Sequence, residues 1–117
     1  MVLKLSAKQQ SQLAFLELLP PKIHRIQAVI ERMNSPTLDE TSVRGMIRVL
    51  DEMKAGASQL SISGLADTLG AMASMARRGG GLQVKIRGLR DLLGSLRTNY
   101  DTAVRKASVP VAGEELA

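Results

Sequence analysis

From Leu82 onward the chain carries Leu82, Ile86, Leu89, Leu93, Leu96, Tyr100, Ala103 and Ala107, with spacings that alternate between four and three. A β-strand would need a period of two, so this stretch reads as one long amphipathic helix. Its apolar stripe is the seam of a helix bundle or coiled coil, and it must be covered by other helices. Nothing upstream breaks that pattern. Ile23, Ile26, Ile30 and Met33 mark a second helix over Lys22 to Met33, and Val43, Met46, Leu50, Met53, Ala57 and Leu60 mark a third over 38–60. Leu65, Leu69, Met72 and Met75 mark a fourth over 64–78, and Leu5, Leu13, Leu16 and Leu19 a first over 5–19.

Punctuation separates these segments. Pro20-Pro21 are expected to break or kink the chain after the first helix. Asn34-Ser35-Pro36 ends the second, and Thr37-Leu38-Asp39-Glu40 reads as a capping box for the third. Ser61-Ile62-Ser63-Gly64 is a turn in which Ser63 is a candidate N-cap for the fourth helix. Gly79-Gly80-Gly81 is a loop, and Val109-Pro110 stops the last helix. Only Phe15 and Tyr100 are aromatic, so the core must be aliphatic and methionine-rich, which suits helices better than sheets. The expected fold is all-α: an antiparallel up-down four-helix bundle with a short N-terminal helix, over residues 1–108. Residues 109–117 read as a disordered tail or the start of a linker.

Composition narrows the function classes. Without cysteine, disulfides and thiolate chemistry are excluded. One histidine (His24), with no carboxylate cluster at ligand spacing, supports neither a metal site nor a Ser-His-Asp site. His24 reads as a solvent-side or partly packed helix residue. No cofactor is expected. No apolar run approaches the roughly 20 residues of a membrane span, and Lys4 and Lys8 interrupt any signal-peptide core. A cytoplasmic location and no membrane partner are therefore expected.

The net charge of +5 is concentrated: residues 77–106 hold eight bases against Asp91 and Asp101, a net of +6. Such a segment is either a solvated face or a docking surface for an acidic partner. Nucleic acid is not the expected partner, since the chain lacks aromatic stacking residues and a clear recognition helix.

The third helix carries Asp51-Glu52-Met53-Lys54-Ala55-Gly56-Ala57. At about 100° per residue, Asp51 lies roughly 130° from the centre of the apolar stripe, beside Arg44, Arg48, Ala55 and Ser58. It should face solvent. In order and register this run resembles the signature of histidine phosphotransfer (HPt) domains, His-x-Leu-Lys-Gly-x-Ala, with Asp51 at the place of the phosphorylated histidine. The resemblance spans about residues 12–106. It includes Phe15-Leu16-Glu17-Leu18-Leu19-Pro20 leading into the second helix, the turn Leu60 to Leu65, and Arg77-Arg78-Gly79 at the end of the fourth helix.

Membership of that family implies a bundle whose third long helix displays the phosphate acceptor. Here Asp51 replaces the imidazole and Ala55 the usual glycine. The resemblance therefore implies a non-enzymatic module that binds a receiver domain or histidine kinase in a two-component or chemotaxis-type pathway without accepting phosphate. Arg44, Arg48, Asp51, Lys54, Ala55 and Ser58 would make the contact. Two alternatives stand beside it. Asp51 is a plain surface residue paired with Arg48 or Lys54 at i±3, or the chain is a helical oligomerisation domain whose last helix seam continues into a second copy as a homodimer.

Overall fold

Two helices separated by a single residue, α1 (Ala7–Glu17) and α2 (Leu19–Arg32), follow one another as one kinked rod. They belong to a computed structural model that describes residues 4–110. The other rods are α3 (Glu40–Gln59), α4 (Ser63–Arg77) and α5 (Leu82–Ser108), and no strand occurs among the described residues. Neighbouring rods are antiparallel. Gln9 and Leu16 of α1 meet Lys106 and Tyr100 of α5, Gln27 of α2 meets Arg97, and Asp51 of α3 meets Arg77 of α4. Each rod packs on two neighbours (α2 on α3, α3 on α4, α4 on α5, and α5 on α1 and α2), which closes a four-rod bundle. The fold is the all-α up-down bundle expected. Of the expected tail, residues 109–117, Val109 and Pro110 are described and the rest lies outside the described residues.

The core follows the stripes. Leu19, Ile26, Leu50, Leu69, Met72, Leu89 and Leu96 are all fully buried. Helix α4 is wedged between α3 and α5, so it buries more than one stripe: Ala66, Ala73 and Ala76 join Leu65, Leu69 and Met72. Small residues there let the neighbouring helices approach closely. Leu82 departs from its expected place. It lies one turn beyond the last core layer and is 45% exposed.

Three boundaries differ from expectation, each for a local reason. The kink falls at Leu18, ahead of Pro20-Pro21, because prolines fit the first turn of a helix, where no N–H is needed. Helix α3 starts at Glu40 with Asp39 as its cap, so the Thr37–Glu40 box does not form. The Asp39 carboxylate accepts from the Ser42 backbone N–H at 2.9 Å and its hydroxyl at 3.0 Å, whereas the Thr37 hydroxyl lies 2.8 Å from that of Ser35. A charged acceptor also suits the positive end of the helix. Ser63 lies inside α4, and the cap position belongs to Ile62. The turn before it is made by Ser61 at φ 60°, in the place usually taken by glycine, with the Ile62 N–H donating to the Ala57 carbonyl at 2.9 Å.

The capping box that does form is on α1. Ser6 accepts from the Gln9 N–H while the Gln9 side chain accepts from the Ser6 N–H, both at 3.0 Å. The amide of Gln9 is buried and donates to the Lys106 carbonyl at 3.2 Å and the Val109 carbonyl at 2.6 Å, tying α1 to the end of α5. Beside it the Tyr100 hydroxyl donates to the Leu16 carbonyl at 2.9 Å. Burial, then the nearby Asp101 and Glu17 charges, push the Tyr100 hydroxyl above its usual pKa.

Asp39 makes the stability of α3 sensitive to acid. The hydrogen bonds from Ser42 hold its carboxyl below the ordinary aspartate range. The folded state therefore favours the ionised form. That contribution is present above the unfolded value near pH 4 and is lost as pH falls through the lower folded value. Asp39→Ala is expected to lower the melting temperature at pH 7 and to narrow the stability gap between pH 7 and pH 3. Asp39→Asn keeps a neutral cap and should lose the acid dependence alone. Thermal melts of the three proteins at both pH values check this.

Candidate functional site

Asp51 stands near the middle of α3, between the fully buried Leu50 and Met53 two positions on. The core takes those neighbours, so position 51 is turned to the outside of the bundle on the flank facing α4. Its side chain is 43% exposed. It is not a lone surface carboxylate. The Arg77 guanidinium, in the last turn of α4, donates from Nη1 to Oδ1 at 3.3 Å and from Nη2 to Oδ2. This two-point clasp joins α3 to α4, and neither Arg48 nor Lys54 takes the role expected of an i±3 partner. Both groups are about half in water, so the pair contributes no more than about 1 kcal/mol to folding. Its consequence is geometric: the carboxylate is held in one orientation.

The remaining residues read from the sequence surround that clasp unequally. Arg44 is exposed two turns nearer the start of α3 and pairs with Glu40 at 3.1 Å. Arg48, Ala55 and Ser58 are exposed on the outer surface of α3. Lys54 lies toward α4, where its stem covers Gly70: a Cβ on Gly70 would stand 3.3 Å from Lys54 Cε and 3.5 Å from Nζ. The antiparallel register set by Asp51–Arg77 and Lys54–Gly70 places Ala71 and Ser74, both exposed, across from the stretch Asp51 to Ala55. The result is a shallow surface with a low floor of small side chains and a cationic margin of Arg48, Lys54 and Arg77 around one carboxylate.

Arg77 is the residue that the wheel of α3 alone does not supply. Its signal was the basic-glycine end of the fourth helix, read there as part of the resemblance without a role. The glycine of the α3 run also has its own task. A Cβ on Gly56 would overlap the Phe15 ring, so this position admits α1 to the side of α3 away from α4. Ala55, on the outer face, has no such neighbour to accommodate.

Chemically, the arrangement offers charge and shape rather than reactivity. Groups of three or more His, Cys, Asp or Glu side chains that could hold a metal ion do not occur among the described residues. His24 is exposed on α2, beside Pro20, Ile23, Arg97 and Tyr100, far along the chain from Asp51. No helix among the described residues is long and apolar enough to cross a membrane. Comparison with protein-family models, with curated proteins and with solved structures finds no match to this chain.

Proposed function

We propose that the chain is a signalling module of HPt type that docks a receiver domain or histidine kinase through the α3–α4 surface and accepts no phosphate. The observation that carries this reading is the position of Asp51: mid-helix, outward, and clasped by Arg77 on a four-rod bundle. In this position the family carries an imidazole, whose nitrogen attacks phosphorus while neutral. A carboxylate bound by a guanidinium lacks that reactivity and keeps only the shape and charge of the surface. The cationic margin suits an acidic partner face, because complementary charge raises the association rate. Asp51 standing in for phosphohistidine is the lesser reading, since one carboxylate presents fewer negative oxygens than a phosphoryl group and Arg77 already engages it.

Titration with unphosphorylated receiver domains of the same organism tests the reading. Micromolar binding is expected, with Arg48→Glu reducing the association rate about tenfold or more at low salt, an effect that shrinks as salt is added. Absence of binding to every receiver and kinase domain would overturn it.

The oligomerisation alternative rests on the α5 seam. In the bundle Ile86, Leu89, Leu93 and Leu96 are buried against the chain's own helices, which leaves that stripe without a free face for a second copy. A solution mass that rises with concentration would restore that alternative. Both aromatic side chains, Phe15 and Tyr100, pack against the core, so neither offers a platform for stacking bases.

A further inference from the structure

We propose that the α4–α5 tip is a peripheral docking point for an anionic membrane surface, with Leu82 and Val84 entering the interface and Arg78, Lys85 and Arg87 meeting lipid headgroups. Four large hydrophobic side chains are exposed among the described residues, and two of them stand here: Leu82 at 45% and Val84 at 74%. Both lie in the first turn of α5, where side chains lean back toward the helix start and hence toward the tip. Val84 does so visibly, its Cγ2 lying 3.9 Å from where a Cβ on Gly81 would stand. The loop ahead of it, Gly79 to Gly81, has no side chains to cover the pair, and Gly80 at φ 116° keeps the turn tight.

The charge around the pair is of one sign. Along the chain no carboxylate occurs between Asp67 and Asp91, while Arg77, Arg78, Lys85, Arg87 and, two turns into α5, Arg90 fall inside that interval. Arg77 is committed to Asp51, which leaves Arg78, Lys85 and Arg87 as the cations nearest the apolar pair in the chain. The α2–α3 connection is brought alongside by the Gln83 amide donating to Asn34 Oδ1 at 2.8 Å, and the acids that follow it are Asp39 and Glu40. Both are engaged, Asp39 in capping α3 and Glu40 with Arg44.

Shape selects the partner. The molecule is a rod of 59 × 20 × 19 Å, and the exposed pair stands at the turn where α4 gives way to α5. Inserting two aliphatic side chains from such a turn into a protein would require a matching concavity, whereas a fluid headgroup layer yields. A nucleic-acid duplex would satisfy the cations but give the apolar side chains nothing. An anionic bilayer satisfies both, each cation near its surface contributing about fivefold in partitioning. This contact is interfacial and needs no spanning helix, and it adds a membrane to a chain whose sequence led us to expect none.

Sedimentation with phosphatidylcholine vesicles, with and without about 30% phosphatidylglycerol, tests it at low and high salt. Binding is expected only to the anionic vesicles and should weaken with salt. Arg78→Glu with Arg87→Glu should reduce partitioning about a hundredfold, and Leu82→Ser with Val84→Ser about tenfold. All four side chains are exposed, and unchanged thermal melts confirm that the variants fold. No binding to anionic vesicles overturns the proposal. So does full binding by the double serine variant, which would mean charge alone, and so does binding of duplex DNA with none of vesicles.

Discussion

Leu50→Ala is expected to remove about 3–5 kcal/mol of folding stability, while Arg48→Ala, two residues away, changes it by less than about 0.5 kcal/mol. Leu50 is fully buried where α3 meets its neighbours, and truncation leaves a cavity lined by close-packed aliphatic side chains that cannot all collapse into it. Arg48 is exposed and touches little. For a domain of this size the first loss is a large part of the whole, since natural domains rarely exceed about 15 kcal/mol. Urea titrations followed by far-ultraviolet circular dichroism separate the two variants by midpoint at constant slope. The contrast tests orientation as well as packing. If Leu50→Ala cost under about 1 kcal/mol, the buried face of α3 would be misplaced, and the outward position of Asp51 would fall with it.

The path from sequence to fold was short where the periodicity was strong. The 4-3 spacing in α3 and α5 names their buried residues, because a helix that must hide one stripe leaves no freedom in which residues line it. Legibility failed at edges and at shared faces. Pro20-Pro21 announce a helix boundary but fit the inside of the next helix as well as a break, so they misplace the kink at Leu18. Asp39 and Thr37 are both good caps by residue type; in the fold Asp39 takes the Ser42 N–H, and Leu38 and Val43 on either side of it pack against the core. Gln9 was invisible as a core residue. A lone glutamine on an apolar face looks like an error until the carbonyls of Lys106 and Val109, nearly a hundred residues away, come to meet it.

The candidate site was legible to the same depth. One helix wheel places Asp51 outward with Arg44, Arg48, Ala55 and Ser58, since all five depend only on where the α3 stripe lies. It cannot name what stands opposite. The Arg77 clasp and the cover that Lys54 gives to Gly70 depend on the register of α3 against α4, a tertiary property that the intervening turn sets through Ser61 and the buried small residues of α4. For that reason the wheel offered Arg48 or Lys54 as the partner of Asp51, and the structure supplies Arg77.

Asp51→His is expected to turn a surface that carries no phosphoryl group into one that does. The substitution places an imidazole outward from mid-α3, with the exposed Ala55 one turn on leaving room beside it. The guanidinium of Arg77 then loses its carboxylate. A nearby cation disfavours protonation of the ring, so the imidazole should be neutral and nucleophilic at neutral pH. The same cation, with Lys54, is available to the oxygens of an incoming phosphoryl group. Transfer from a phosphorylated receiver would form a nitrogen–phosphorus bond as the receiver's acyl phosphate oxygen–phosphorus bond breaks, returning a free carboxylate. Radiolabelled receiver mixed with each protein is the measurement. Label on the histidine variant, stable in base and lost in acid, with none on the parent chain, supports the HPt reading. Combining Asp51→His with Arg77→Ala should slow the transfer, because the cation that steadies the phosphoryl oxygens is gone. A histidine variant that stays unlabelled, from a parent chain that binds no receiver, would leave the helical bundle standing and the signalling role without support.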